Sequence, residues 1–149
     1  MLTRLIVMRH ADSSWDSEIE LDHERPLNNQ GRKKAQWMSN ALIEHDWKPD
    51  CALISSSVRT QETFSLMMDI PSENRPEIYH ADLETLLPIA TGIEKGKTTL
   101  ILGHNPGCEM LVATLCGEYH PIPPATCVLF TKSGPNWTLD SILRTKEFG

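Results

Sequence analysis

The sequence lacks the features that mark several large classes of protein. No apolar run is long enough to cross a membrane, and the first residues are apolar over too few positions to form a secretory signal. Only 14 lysines and arginines oppose 20 aspartates and glutamates, and the resulting net charge of -6 repels nucleic-acid backbones and anionic lipid. We therefore expect a cytoplasmic protein with no nucleic-acid or membrane partner.

Spacings typical of metal sites and disulfide frameworks are also missing. The four cysteines form no Cys-x-x-Cys pair, and the six histidines show no ligand spacing. Free thiols that act as small apolar groups suit a reducing compartment. We interpret all four cysteines in this way, and we expect neither a metal nor a cofactor.

What remains is the composition of an ordinary folded domain. The 149 residues are 40% hydrophobic and 23% charged, which is typical of soluble globular proteins and sufficient to bury a core. We expect one domain over residues 1–149.

Apolar segments typical of buried strands alternate with helical patterns along the chain. Strands are predicted at residues 5–8, 51–55 and 97–102, helices at 31–45, 58–68 and 108–115, and a closing hairpin at 127–131 and 137–143. A short strand at 77–79 and a short helix at 82–87 that Pro88 ends are also expected, with a loop at 71–76. In the helix at 31–45, Asn28 or Asn29 is the expected cap, and Lys33 and Lys34 are expected to face outward. The alternation predicts an α/β fold with a mostly parallel sheet covered on both faces.

Basic side chains follow three of the predicted strands. Arg9 and His10 end the first strand, Arg59 lies in the first helical turn after the second, and His104 follows the third. The carboxyl ends of parallel strands open at the same edge of a sheet, where ligands bind. An arginine at a helix amino terminus is favourable where both face a shared anion. The pattern predicts an anion pocket, and phosphate is the usual anion.

Phosphoryl transfer is the chemistry that such a pocket permits, because its transition state needs mainly positioning and positive donors. Arginine forks match the phosphoryl oxygens. A neutral imidazole whose other nitrogen is held by a backbone carbonyl can act as the nucleophile, and we assign this role to His10. Arg25, at the end of a long loop whose acidic run we interpret as solvated, is expected to turn back toward the site.

Four motifs in order also carry a family resemblance. They are Arg9-His10-Ala11-Asp12-Ser13-Ser14-Trp15, Arg25-Pro26-Leu27 with Gly31, Ser55-Ser56-Ser57-Val58-Arg59-Thr60-Gln61-Glu62-Thr63, and Gly103-His104-Asn105-Pro106-Gly107. Together they resemble the histidine phosphatase (phosphoglycerate mutase-like) superfamily, and they are most similar to its short SixA-type phosphohistidine phosphatases. The resemblance covers nearly the whole chain.

The resemblance implies a mechanism and a fold. It implies that His10 is phosphorylated in a covalent intermediate, with Arg9, Arg59 and His104 holding the phosphoryl group. It also implies a metal-independent phosphatase built as a three-layer α/β/α sandwich, in which Ser55 or Ser56 is structural rather than nucleophilic.

The chain departs from the commonest form of the first motif at two positions. Ala11 replaces a glycine, and its methyl group is small enough to leave the backbone close to the phosphate. Asp16 replaces an asparagine of mutase relatives, and it is expected to face away from the phosphate or to bind a basic group of the substrate. We include Asp16 with Arg25 and Ser13 as candidate substrate-binding residues.

The general acid of larger relatives has no clear counterpart. Asn105 stands after His104, where some relatives carry an acidic residue, and Asp82 and Glu84 are the remaining candidates. Expelling an alkoxide needs a proton donor, whereas imidazole is a far easier leaving group. We therefore expect a phosphatase that acts on protein phosphohistidine. The alternatives are a small-molecule phosphomonoesterase that uses Asp82 or Glu84, and a catalytically silent phosphate-binding module.

Overall fold

A six-stranded sheet is the centre of the computed structural model, which describes residues 2–15 and 21–146. Its strands are β1 (Thr3–Arg9), β2 (Cys51–Ile54), β3 (Ser72–Asn74), β4 (Thr98–Gly103), β5 (Cys127–Ser133) and β6 (Asn136–Leu143). They lie in the order β3-β2-β4-β1-β5-β6. The first four strands are parallel, and β5 and β6 add an antiparallel hairpin beside β1. The predicted mostly parallel sheet is confirmed.

Helices cover both faces of this sheet. They are α1 (Asn29–Glu44), α2 (Val58–Met67), α3 (Leu83–Thr91) and α4 (Gly107–Cys116). Side chains alternate between the faces of a strand, so Ile6 and Met8 of β1 pack with α1 and α2, and Leu5 and Val7 pack with α3 and α4. All four are fully buried, as expected for a central parallel strand. The predicted three-layer α/β/α sandwich is confirmed.

The pairing of β1 with β4 places the two predicted histidines side by side. Arg9 lies opposite Gly103 in the register, and the backbone N–H of His10 donates to the carbonyl of Gly103 at 3.1 Å. His10 and His104 therefore leave the sheet together, one residue beyond the paired strand ends.

Helix α1 is capped by Asn28, one of the two predicted caps, and begins two residues before the predicted start, but one of its lysines does not face outward. Asn28 caps the helix by accepting from the N–H of Gly31 at 2.8 Å. A side chain at Gly31 would lie 2.0 Å from the carbonyl oxygen of Asp12, so this glycine allows the loop after β1 to approach the helix. The prediction that Lys34 is exposed is wrong, because it is buried and its Nζ lies 3.1 Å from the Asp12 carboxylate.

The segment between α2 and β4 differs most from expectation. The strand lies at Ser72–Asn74, where a loop was predicted, and Pro76–Ile78 is a 3₁₀ turn instead of the strand expected at 77–79. Helix α3 continues through Pro88 to Thr91, because Leu86 and Ala90 pack in the core and this burial outweighs the missing N–H of proline. No helix within the described residues is long and apolar enough to cross a membrane.

Candidate active site

A cavity of about 360 Å³ opens at the carboxyl edge of the sheet. It is lined by Arg9, His10, Asp12, Ser13, Trp15, Arg25, Asn28, Arg59, His104, Asn105 and Pro124. The structure thus brings together six of the predicted site residues: Arg9, His10, Ser13, Arg25, Arg59 and His104. A larger cavity of about 420 Å³ lies beside β2, β3 and α3, and its lining includes no histidine. We assign the site to the smaller cavity because three arginines and two histidines converge there.

His10 is held with one ring nitrogen on the backbone and the other toward Arg59 and the cavity. Its Nδ1–H donates to the carbonyl oxygen of Ala11 at 2.7 Å, and the N–H of Ala11 in turn donates to Oγ1 of Thr63 at 3.1 Å. The Nε2 atom therefore carries the lone pair, and it accepts from Nε of Arg59 at 3.3 Å. Burial, helped by the charge of Arg59, lowers the pKa of His10 to about 4, so the imidazole is neutral at pH 7.

His104 lies beside His10 with its own orientation fixed. The two ring centroids are 5.2 Å apart. Arg59 has only donors, so its Nη2 donates to Nδ1 of His104 at 3.4 Å, and Nε2–H of His104 donates to Oγ of Ser55 at 2.7 Å. Burial and the neighbouring His10 lower the pKa of His104 to about 3. Ser55 therefore orients a histidine, while Ser56 bonds to His23 at 2.8 Å.

Arg59 links both histidines to an acidic partner. It follows the Ser57 cap in the first turn of α2 and is 4% exposed. Its Nη1 and Nη2 atoms donate to the backbone oxygen and the carboxylate of Asp22 at 2.7 and 3.0 Å. The guanidinium is therefore fixed on one side by Asp22 and presents its other side to the cavity.

Arg25 turns back toward the strand edge, as the sequence suggested. A bridge between Ser13 and Leu27 holds the returning chain. The guanidinium donates to the carbonyl oxygen of Ser14 at 2.9 Å, to Asp22 Oδ1 at 2.8 Å and to the hydroxyl of Ser13. With 8% exposure, Arg25 is a rigid cation at the wall of the cavity.

Arg9 retains unused donor capacity. Its Nη1 donates to the carbonyl of Ile122 at 3.2 Å, but its buried Nε has no hydrogen-bond partner among the described residues. Burial lowers the pKa of this guanidinium from its usual value. Buried donors without partners are rare in folded proteins, and at a site they fit a ligand that completes them.

Asp22, Tyr79 and His80, which lie beside the two histidines, were missed by the sequence analysis, and the lining residues Asp12, Trp15, Asn28, Asn105 and Pro124 were not named as candidates. The interpretation of Asp22 as a solvated acid is wrong: its carboxylate binds Arg25 and Arg59, and Oδ2 accepts from the Tyr79 hydroxyl at 2.7 Å. Nε2 of His80 also lies 3.3 Å from Oδ2. Burial opposes ionisation of Asp22, but bonds from Tyr79 and the arginines outweigh it and hold its pKa below the usual range. The one signal in the sequence for Asp22 was that Arg25 and Arg59, both expected at the site, require a nearby negative charge.

The remaining predicted residues lie outside the cavity lining or outside the described chain. Asp82 caps α3 by accepting from the N–H of Thr85 at 3.0 Å, and this bond lowers its pKa. Glu84 is exposed in the first turn of α3. Asp16 lies outside the described residues. Ala11 is fully buried in the core on the α1 and α2 side, so its methyl group faces away from the cavity.

The described residues do not form a metal site. Across residues 2–15 and 21–146, no group of three His, Cys, Asp or Glu side chains is arranged to hold a metal ion. The recognition chemistry of the cavity is that of an oxyanion site, made of arginine and imidazole groups.

Comparison with known proteins agrees with this geometry. Residues 5–85 match the sequence profile of the histidine phosphatase superfamily (branch 1). A chloroplastic protein of Arabidopsis thaliana is 30% identical over 90% of this chain and 68% of its own length.

Two solved structures share the fold over nearly the full length. The SixA protein of Agrobacterium tumefaciens superposes with a TM-score of 0.87 at 24% identity, over 97% of this chain and 99% of that chain. A protein histidine phosphatase SixA complexed with tungstate superposes with a TM-score of 0.81 at 23% identity, over 94% of this chain and 96% of that chain. The prediction of a phosphatase with a SixA-like fold is confirmed. The chain belongs to the histidine phosphatase superfamily.

Proposed function

We propose that this protein is a cofactor-independent phosphatase that removes the phosphoryl group from phosphohistidine on a protein, through a phosphorylated His10 intermediate. The orientation of His10 carries the proposal. Its Nδ1–H is fixed on Ala11, so the lone pair of Nε2 lies in a cavity that three arginines line. A neutral imidazole beside fixed cations is suited to attack a phosphoryl group.

The first step transfers the phosphoryl group to His10. Nε2 forms a bond to phosphorus while the bond from phosphorus to the substrate nitrogen breaks, and the electron pair stays on the substrate imidazole. Because the other nitrogen of that ring carries a proton, the ring departs as neutral imidazole. Arg9, Arg25 and Arg59 stabilise the charge on the phosphoryl oxygens.

The second step regenerates the enzyme. Water attacks the phosphorus of phospho-His10, the bond from phosphorus to Nε2 breaks, and inorganic phosphate leaves with the proton balance completed by solvent. His104 faces the same phosphoryl group from the adjacent strand end, where bound anion would raise its pKa and make it a second donor.

The carboxylates around the cavity favour an easily expelled leaving group. Asp12 is paired with buried Lys34, and Asp22 is held ionised by Tyr79, Arg25 and Arg59. Asp22 is therefore a poor proton donor, Asp12 is engaged by a lysine, and the cavity lining contains no other carboxylate among the described residues. An imidazole needs less help than an alkoxide, so the site suits phosphohistidine better than a sugar phosphate. The name protein histidine phosphatase on one SixA structure of the same fold supports this substrate class.

The test is to trap the intermediate. Wild-type protein is mixed with a radiolabelled phosphohistidine protein, quenched within one turnover, and examined for an acid-labile, base-stable phosphoenzyme. His10→Ala should give no label and no turnover, while His45→Ala, which alters an exposed histidine at the end of α1, should label normally. Turnover without a phosphoenzyme would overturn the role of His10.

The wild-type protein also serves to distinguish the proposed function from a small-molecule phosphomonoesterase and from a silent phosphate-binding module. A panel of phosphohistidine proteins and phosphomonoesters at matched concentrations distinguishes the proposed substrate from a small ester. No hydrolysis of p-nitrophenyl phosphate or phosphohistidine would instead favour a silent phosphate-binding module. Metal independence is tested by activity in excess EDTA. A cytoplasmic location and a single domain over residues 1–149 stay predictions.

A further inference from the structure

Trp15 is a large apolar side chain that is exposed to solvent where the cavity with His10 opens. Its exposed fraction is 81%, and it lines the same cavity as His10 and Arg59. Single exposed apolar residues are common on protein surfaces and need no explanation by themselves. The arrangement around this one is what distinguishes it.

One face of the indole is covered by a rigid cation. The guanidinium carbon of Arg25 lies 3.2 Å from the ring centroid of Trp15. Arg25 is itself 8% exposed and is tied to Ser13, Ser14 and Asp22. The indole is therefore held against a fixed support, and its other face is left to solvent.

A second tryptophan shows that this is not simply how the fold packs arginine on indole. The guanidinium carbon of Arg4 lies 4.1 Å from the ring centroid of Trp47, but Trp47 is 7% exposed and belongs to the core. There the stack is closed on both sides. At Trp15 the same kind of stack is left open on the side that can receive a ligand.

We infer that Trp15 is a specificity residue whose open face stacks on the planar ring that carries the phosphoryl group, namely the imidazole of phosphohistidine. This inference rests on the proposed function and names how the leaving group is recognised. A cavity of about 360 Å³ is more than a phosphoryl group fills, so it leaves space beside Trp15 for the ring attached to that group. Indole is the strongest partner among side chains for a planar cation, so it favours the protonated imidazole, the form that departs as a neutral molecule.

Matched pairs of phosphoryl donors test the stacking role. N-phosphoimidazole and phosphoramidate share a phosphorus–nitrogen bond, but only the first carries a ring; phenyl phosphate and ethyl phosphate form the corresponding ester pair. Trp15→Leu should lower kcat/KM about 10-fold for each ring-bearing donor, mainly through KM, and leave the ring-free donors within about 2-fold. Trp15→Phe should restore most of the loss, and Trp37→Leu, at a half-exposed site on α1, should change neither pair.

Other results would contradict the stacking role of Trp15 or the proposed substrate. An equal loss for both members of a pair would show that Trp15 only holds Arg25 in place, and no loss for either would remove the stacking role. If the wild type hydrolyses phenyl phosphate but neither phosphohistidine nor N-phosphoimidazole, the proposed function and the imidazole assignment both fail. The ester pair still reports whether Trp15 recognises rings, so failure of the substrate and failure of the stacking role are distinguished.

Discussion

The floor and the rim of the cavity are built in different ways. The floor, made of Arg9, His10, Arg59 and His104, comes from strand ends and the first turn of a helix. The rim, made of Trp15, Asp22, Tyr79 and His80, comes from loops and turns. His10, Arg59 and His104 are 4 to 7% exposed, whereas the side chain of Asp22 is 39% exposed and that of His80 is 60% exposed.

This difference in burial gives the two regions different electrostatic properties. In the dry floor, burial keeps both histidines neutral and strengthens the attraction between arginine and phosphate. In the rim, the side chains of Trp15, Asp22 and His80 are exposed to solvent. Asp22 joins the two regions, because its carboxylate accepts from Arg59 of the floor and from Tyr79 of the rim.

Removing an arginine from the floor should lower kcat/KM more than any substitution in the rim or in α3. Arg59→Ala should lower kcat/KM by about 10³-fold, because transition-state charge on the phosphoryl group loses its fork of donors. Arg59→Lys should recover little of the loss, since a lysine cannot contact both histidines and Asp22 at once. Steady-state kinetics on a correctly folded variant is the measurement. Arg4→Ala, at the opposite end of β1, is the control, and a loss below 10-fold would contradict the role of the floor.

Acid should lower the free energy of unfolding through the two buried histidines of the floor. The pKa values of His10 and His104 are lowered to about 4 and about 3 in the folded protein. Below about pH 6.5 the unfolded chain therefore binds more protons at these histidines than the folded chain does. Stability from these groups is full above about pH 6.5 and is lost as pH falls toward 4, by roughly 1.4 kcal/mol per pH unit for each histidine. Urea unfolding between pH 7 and 4 measures the loss. His104→Gln should show a shallower slope, and an unchanged slope would contradict the buried neutral state.

Asp22→Asn should change phosphate binding and turnover in opposite directions. The negative charge of Asp22 lies beside Arg25 and Arg59 and opposes a second anion at these arginines, so its neutralisation should lower the inhibition constant of inorganic phosphate several-fold. Turnover should fall about 10-fold because Arg59 is less firmly oriented. Product inhibition and kcat are measured together, with Glu24→Gln as a neighbouring acidic control. Equal inhibition constants would mean that the charge of Asp22 does not weaken phosphate binding at the floor.

Neutralising the acidic residues Asp82 and Glu84, at the start of α3, should change kcat least. Asp82→Asn and Glu84→Gln should keep kcat within about 2-fold, because an ionised helix cap and an exposed glutamate are poor proton donors for this cavity. Asp82→Ala should instead lower the free energy of unfolding by about 1 kcal/mol through loss of the cap. A loss of kcat of about 10²-fold in either conservative variant would restore it as a candidate general acid.

The sequence predicted the floor well because its residues follow local signals. Buried strands end at Arg9 and Gly103, and the Ser57 cap places Arg59 in a first helical turn. Parallel pairing of the strands then brings these ends to one edge.

The rim was not predicted because it depends on contacts between distant segments. Asp22 and Tyr79 are 57 residues apart and carry no periodic signal that links them. The same limit explains two wrong expectations. Core packing carries helix α3 through Pro88, and the half-buried carboxylate of Asp12 holds Lys34 inside.

The register between β1 and β4 also couples the site to the folding of the whole domain. A slip of one residue would send Ile6 and Met8 to the wrong face of the sheet and would separate His10 from His104. These two strands lie at the centre of the sheet, so opening them exposes the core on both faces. Partially unfolded forms that release only the edges can therefore retain the floor intact, and activity is expected to persist until the domain unfolds as a unit.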